Sequence, residues 1–285
     1  MKKNSPLRYP GGKATLASLL GNIIKLNDLR GRAIAEPFAG GAGASIDLLY
    51  REEVPEIRIN DADPAIHALW SSLIRDNDSF LSMLRSTRIN MAEWRRQRDV
   101  YRSKRQVSRL RRGFAAFYLN RTNRSGIIMD GGPIGGIRQK GPWKLNARFN
   151  KTELAARCRR LKEYGERIKA SGDDGIEFIR KVDADKTLFF IDPPYFVKGP
   201  QLYLNGLDHN YHRALATQLK SQKDDAWVLT YDDCPELHDL YAGWATVRPF
   251  RLRYAAAARR DGSELLITPK WMKLPKHQDS VAVSW

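Results

Sequence analysis

Apolar positions in this chain fall into short runs separated by stretches of helical period, the alternation expected of an α/β protein. The spacing predicts a helix from about Ala14 to Leu26, after the turn Pro10-Gly11-Gly12. Ala33-Ile34-Ala35 reads as a short strand ending in a glycine-rich turn, Glu36 to Ser45, with a helix opening inside or just after it and running through Tyr50. Ile57-Arg58-Ile59-Asn60 reads as a second strand, closed by Asp61. From about Ile66 to Asn120 the pattern is helical, and a polar, glycine-rich stretch follows to Gly141. Alternation resumes near Asn150, with helices over 151–170 and 174–181, the apolar strand Thr187–Ile191, a helix over 211–222 and a strand Ala226–Tyr231. Leu252–Tyr254 and Glu264–Thr268 suggest a closing pair. Residues 1–65 and 149–285 are therefore expected to form one α/β domain, with 66–148 inserted as a mainly helical second domain.

Charge sharpens this division. The chain of 285 residues carries 49 Lys+Arg against 32 Asp+Glu, a formal charge of +17. Between Ala68 and Arg148 the count is 18 basic against 5 acidic residues, so most of the excess lies in the middle segment. A folded segment with that balance is an electrostatic footprint for a polyanion, and without a continuous apolar helical face it suits nucleic acid better than a membrane surface. No apolar run approaches the roughly 18 residues of a membrane span. The basic start, Met1 to Pro6, leads into no apolar signal core, so a cytoplasmic location is expected. Two cysteines, Cys158 and Cys234, and five scattered histidines give neither a disulfide framework nor a metal-ligand pattern, and no metal is expected.

The most informative chemistry is Asp192-Pro193-Pro194-Tyr195, directly after the strand Thr187–Ile191. Open α/β sheets place ligands at such strand ends. Two prolines stop the strand and lack N–H donors, leaving carbonyls free to point outward. The Asp192 carboxylate and the Pro193 carbonyl can accept both hydrogens of one exocyclic amino group, while Tyr195 offers a face to a planar ring. A bland alternative is an edge-strand terminator with a packed tyrosine. The glycine turn points the same way as the tetrad. Gly41-Ala42-Gly43-Ala44-Ser45-Ile46 falls short of a full dinucleotide fingerprint, and Glu36 at the strand end would repel a pyrophosphate. An acid there suits an ammonium group, and Asp61, 18 residues beyond Gly43, is near the spacing of about 20 for a ribose-binding carboxylate. A nucleoside with a cationic amino-acid tail satisfies both acids, and S-adenosyl-L-methionine is such a molecule. A ligand-free packed turn and a dinucleotide site are the alternatives.

These motifs together resemble the Dam-like DNA adenine-N6 methyltransferase family, in which the cofactor motif precedes the catalytic one and a target-recognition domain lies between them. The likeness covers essentially the whole chain. Leu7-Arg8-Tyr9-Pro10-Gly11-Gly12-Lys13 resembles the family's opening motif, Glu36 to Gly43 its glycine-rich motif, Asn60-Asp61-Ala62-Asp63 its acidic motif, and Asp192–Tyr195 its catalytic signature. The resemblance implies a Rossmann-like methyltransferase sheet with an inserted helical target-recognition domain. It implies cofactor contacts from Tyr9, Lys13, Glu36, Phe38, Gly40, Gly43, Asp61, Asp174 and Asp192. Asp173 competes with its neighbour Asp174 for the contact to the cofactor's adenine. Tyr9 stands where the family usually has tryptophan, and Pro10 where alanine is common. Tyr118 to Gly126 resembles the start of the family's recognition motif and then diverges, so a GATC-like specificity does not carry over.

The implied reaction is methyl transfer from S-adenosyl-L-methionine to adenine N6 of a base flipped from duplex DNA, catalysed by Asp192, Pro193, Pro194 and Tyr195, with no obligate protein partner implied. Cytosine C5 chemistry needs a thiolate near the base, and neither cysteine has that context. Cytosine N4, RNA or protein-glutamine methylation, and a silent DNA-binding protein of the same fold, remain the alternatives. In the basic segment Arg95, Arg96 and Lys144 are expected on phosphates. Asn120, Arg121, Asn123 and Arg124 are expected to read bases, with a role in pinning the two domains as the alternative for Asn120 and Arg121.

Overall fold

The structure, a computed structural model, describes residues 4–8, 13–103, 105–196, 207–252, 262–276 and 283–284. The chain forms two compact units, one of Met1–Gly12 with Asp61–Gly172 and one of Lys13–Asn60 with Asp173–Trp285.

The second unit is the α/β one. Its helices are α1 (Ala17–Leu26) and α2 (Gly43–Tyr50), and its first strands are β1 (Ala33–Glu36) and β2 (Ile57–Asn60). After the excursion of the chain through the other unit come α8 (Gly175–Lys181), β4 (Thr187–Ile191), α9 (His209–Ser221), β5 (Trp227–Asp232), α10 (Pro235–Tyr241), β6 (Ala245–Leu252), β7 (Gly262–Pro269) and β8 (Val283–Ser284). The strands of this unit lie in the order β2-β1-β4-β5-β7-β6-β8. β2, β1, β4 and β5 run parallel, with Ile34 opposite both Ile57 and Leu188, and Phe190 opposite Val228. β7, β6 and β8 close the edge in antiparallel fashion. Every residue of β4 is buried, which explains its uninterrupted apolar run: both faces of a parallel strand are covered, so alternation disappears. Phe189 packs with Ile176, Ile179, Leu215, Trp227 and Leu265 in one core cluster. Each such side chain contributes on the order of 1.5–3 kcal/mol.

The first unit is helical: α3 (Pro64–Arg75), α4 (Asn77–Ser86), α5 (Met91–Arg102), α6 (Arg109–Thr122) and α7 (Lys151–Glu163), followed by the short strand β3 (Ile168–Ser171). Pro64 occupies the first turn of α3, and the Asp63 side chain caps it by accepting from Ala65 N at 2.7 Å. Phe80, Phe114, Phe117 and Phe149 meet ring to ring, with centroids 5.3–6.1 Å apart, and form its core. Gly113 permits the close crossing of α6 on α3, since a Cβ there would lie 2.7 Å from the Ala68 carbonyl. No described helix is long and apolar enough to cross a membrane.

The division between units differs from the expected 66–148 insertion. Segment 4–8 and α7 belong with the helices. Arg8 exchanges backbone hydrogen bonds with the Asn120 side chain, Arg157 donates to the Ser5 carbonyl, and α7 packs on α3 and α4. These long-range pairings leave no signal in local periodicity. The helix expected over 151–170 stops at Glu163 and gives way to β3. α10, β8 and all of β6 but Leu252 fall outside the elements expected from the sequence, and Arg253 and Tyr254 of the expected strand lie outside the described residues.

Candidate active site

The α/β unit places β1 between β2 and β4, so the strand order reverses at β1/β4, where sheets of this kind leave a crevice beyond the carboxyl ends. Glu36 is the last residue of β1, and Asp192 follows the last residue of β4. The two expected acids therefore emerge side by side, near enough for the charge of Asp192 to act on Glu36.

Glu36 is 5% exposed. The loop after it turns through left-handed backbone at Gly40 and Ala42, both at φ +45°, so that α2 starts at Gly43 and directs its first turn back at the acid. Ser45 donates to Glu36 Oε1 from its backbone N at 3.1 Å and also from its hydroxyl. Burial nevertheless pushes the Glu36 carboxyl up to about 7, the Ser45 bonds opposing this and the Asp192 charge adding to it. Oε2 has no hydrogen-bond partner among the described residues. A buried carboxylate with one oxygen satisfied and the other without a partner suits a cationic ligand group, which is the ammonium expected from the sequence.

Asp174 caps α8, its Oδ1 accepting from Ile176 N at 2.9 Å and Glu177 N at 3.2 Å. Its Oδ2 accepts from the Tyr211 hydroxyl at 2.7 Å, a contact sequence reasoning missed. Asp173 instead pairs with Lys181 at 2.7 Å, while its backbone N–H and carbonyl are held by Asn60. Asp174 is thus the one of the pair that stands with rings: Phe38 lies edge-on to Tyr211 at 6.4 Å and against Gly175, where a Cβ would meet the Phe38 ring at 2.4 Å.

The tetrad is held by its neighbouring strands. Thr230, on β5, donates to Asp192 Oδ1 at 2.7 Å. Phe196 N donates to Asp232 Oδ1 at 3.0 Å, and the Tyr195 hydroxyl donates to Glu264 of β7 at 3.1 Å. Pro193 is buried, and Pro194 and Tyr195 are half-buried. Thr230 and Glu264 sit in runs that read as ordinary strand, so only register reveals their role. Burial pushes the Cys158 thiol up to about 12 and that of Cys234 to about 11, so neither is a thiolate at neutral pH.

Tyr9 lies outside the described residues, and so does the side chain of Lys13. Asp61, in the helical unit, accepts from Asp63 N at 2.9 Å, and the second oxygen of Asp63 accepts from the Tyr101 hydroxyl at 3.1 Å. Burial, then the charges of Asp63, Asp61 and Asp130, hold the Tyr101 phenol protonated well above its ordinary range.

The expected base readers divide. Arg124 is exposed, with its Nε on the Gly131 carbonyl at 3.1 Å. Asn120, Arg121 and Asn123 are buried, which revises their expected role. Asn120 bridges Arg8 and the Gly126 carbonyl; Asn123 accepts from Trp94 Nε1 at 2.7 Å and donates to the Ile127 and Ile128 carbonyls. Their amide groups are committed to the scaffold, because unpaired carbonyls in this turn would be costly. Arg121 Nε donates to the Arg148 carbonyl at 2.8 Å. Among the expected phosphate contacts, Arg95 is exposed, Arg96 pairs with Glu93 at 2.6 Å, and Lys144 donates to the Gln139 and Gly141 carbonyls.

A family model described as D12 class N6 adenine-specific DNA methyltransferase matches residues 9–254. Among solved structures, a conserved hypothetical protein from Streptococcus pyogenes is similar to 89% of this chain and 96% of its own, at 9% identity and a TM-score of 0.35. No curated protein matches the sequence.

Proposed function

Because the chain belongs to the D12 class N6 adenine-specific DNA methyltransferase family, we propose that it transfers a methyl group from S-adenosyl-L-methionine to adenine N6 of a base flipped out of duplex DNA, in the Dam-like manner. The observation that carries this reading is the pairing of acids at the β1/β4 strand ends, Asp192 fixed by Thr230 and Glu36 buried with an oxygen to spare. When bound, the cofactor supplies an electrophilic methyl group on a sulfonium.

Glu36 is the residue to hold the ammonium group, and Asp174 with Phe38 the cofactor's adenine. Gly40 and Gly43 let the chain pass close to the ligand. Asp61 carries, by its motif, the ribose contact, and Tyr9 and Lys13 the contacts of the opening motif. Adenine N6 is a poor nucleophile because its lone pair is delocalised into the ring. The Asp192 carboxylate and the Pro193 carbonyl accept hydrogen bonds from its two N–H groups and draw the nitrogen towards tetrahedral geometry, localising the lone pair. The proton that N6 loses on methylation leaves to solvent by way of the Asp192 carboxylate. Pro194 keeps this stretch free of a competing N–H donor. Tyr195, restrained through Glu264, stacks on the base and offsets part of the unstacking cost of roughly a few kcal/mol. Catalysis here is positioning and electrostatics. Arg95, Arg124 and their basic neighbours are the residues to meet DNA.

The test is incubation with labelled cofactor and mixed-sequence duplex, followed by nucleoside analysis. Label in N6-methyladenine is expected, abolished by Asp192→Ala with cofactor binding retained. Label in N4-methylcytosine, or only in RNA or protein, sinks the assignment.

A further inference from the structure

Residues 133–145 of the helical unit begin at the bridge between Asn123 and Pro133 and fold into a tight knot. Ile134 N donates to the Thr122 carbonyl at 2.9 Å, which roots the knot at the end of α6. Gln139 clamps it. The Gln139 Nε2 donates to the Ile134 and Gly136 carbonyls, both at 2.7 Å, and Oε1 accepts from Leu145 N at 3.0 Å. The Lys144 ammonium closes the turn by donating to the Gln139 and Gly141 carbonyls at 2.7 and 3.1 Å. Gly135 lies at φ +86°, and a Cβ there would stand 2.6 Å from the Trp143 carbonyl, so glycine lets the two legs of the knot cross. Gln139 itself is held at φ +51°, a left-handed conformation that persists in a residue with a side chain only where its surroundings fix it.

This fixed turn presents apolar surface and positive charge together. Among the described residues four large apolar side chains are exposed, and two of them are here, Ile137 at 58% and Trp143 at 70%. No hydrogen bond or ring contact holds the Trp143 indole among the described residues. Arg138 and Lys140 are exposed on the same knot and have no acidic partner among the described residues. Residues 131–152 contain five Lys and Arg and no Asp or Glu, so the charge selects a polyanion. The ring selects among polyanions: an indole face matches a nucleobase, and such stacking tolerates any sequence because every base has a π-face. A duplex shows that face only where a base step is opened. A turn already held still by its own hydrogen bonds loses little conformational freedom on binding.

We propose that Trp143 is an aromatic anchor that enters an opened base step of bound DNA and stacks on a base, while Arg138 and Lys140 take the flanking phosphates. This rests on the reading of the enzyme as acting on duplex DNA and deepens it. The knot then fixes the position of the duplex without reading its sequence.

The experiment compares wild type with Trp143→Ala, Trp143→Phe and Arg138→Gln. Affinity is measured for a duplex that the enzyme methylates and for a scrambled one, over a range of salt concentrations. Trp143→Ala should weaken binding to both by about tenfold with the salt slope unchanged, because stacking releases no counterions. Trp143→Phe should recover most of that loss. Arg138→Gln should instead make the slope shallower by about one. Both side chains are exposed, so melting temperatures should stay within about 2 °C of wild type. DNA should shield the Trp143 indole from acrylamide, read as the difference in fluorescence quenching between wild type and Trp143→Phe. Unchanged affinity of Trp143→Ala for both duplexes overturns the proposal, and a simultaneous change in sedimentation gives the indole to a second copy of the chain. A loss confined to the methylated duplex overturns it in favour of base-edge reading. A shallower slope in Trp143→Ala overturns it in favour of a general collapse of the basic turn. Should the alanine variant not fold, an indole equally open to acrylamide with and without DNA overturns the proposal alone. A wild type that methylates DNA while Trp143→Ala binds normally condemns the anchor and spares the function; a wild type that binds no duplex condemns both.

Discussion

Under the proposed function Glu36 makes cofactor binding a proton-linked event, and its position sets the size of the effect. The carboxyl sits at about 7 in the folded protein against an ordinary 4.5, because burial at the end of β1 disfavours its charge. The folded state without ligand therefore binds more protons than the unfolded state between those two values. Glu36 thus favours the protonated fold at low pH, and that contribution is lost as pH rises from about 4.5 through about 7. The difference corresponds to roughly 3 kcal/mol, taken as an upper bound. A ligand ammonium beside the carboxylate requires the charged form, so binding near pH 6 must first displace a proton. Affinity for S-adenosyl-L-methionine should then rise about tenfold from pH 6 to pH 8, with close to one proton released per cofactor at pH 6 and about half a proton at pH 7. Titration calorimetry in buffers of different ionisation enthalpy reads both quantities. Glu36→Gln keeps the shape and the bonds from Ser45 but cannot titrate. It should bind the cofactor about 10–100-fold more weakly, show a flat pH profile over this range, and resist unfolding better than wild type above pH 7 by about 2 kcal/mol. A wild-type affinity that is flat from pH 6 to 8, or a pH dependence that survives in Glu36→Gln, would refute the reasoning.

Three further outcomes follow from single contacts. Thr230→Val removes the donor to Asp192, and single-turnover methylation should slow about tenfold while cofactor affinity stays within about twofold. Asn123→Ala strands the Trp94 indole N–H and the Ile127 and Ile128 carbonyls, so thermal unfolding should show a loss of about 2–4 kcal/mol while the pattern of methylated sites is unchanged. Tyr101→Phe frees the second oxygen of Asp63 and loosens Asp61; KM for the cofactor should rise about three- to fivefold with kcat unchanged, and an unchanged KM would separate Tyr101 from the cofactor site.

Much of the chemistry was written locally. The strand Thr187–Ile191 begins and ends where its apolar run does, because a strand buried on both faces needs apolar side chains throughout and prolines or acids to stop it. Ile57–Asn60 is marked by the alternation of its two isoleucines with polar residues before Asp61. The glycine turn, the acid before it and the tetrad after β4 are contiguous residues, and their order alone pointed to the reaction. Side-chain environment was not local. Asn120, Arg121 and Asn123 look like base readers in the sequence because Asn and Arg are the side chains that read bases; only the packing of α6 against segment 4–8 and the following turn buries them. Thr230, Glu264, Tyr211 and Tyr101 carry no motif. Their partners lie 38, 69, 37 and 38 residues away in the chain, and only strand register and helix packing bring them within a hydrogen bond. The sequence by itself determined which groups are able to do the proposed chemistry, since bonding capacity belongs to the residue. Only the tertiary structure decided which of those groups are committed to the scaffold, because burial and partner choice belong to the fold.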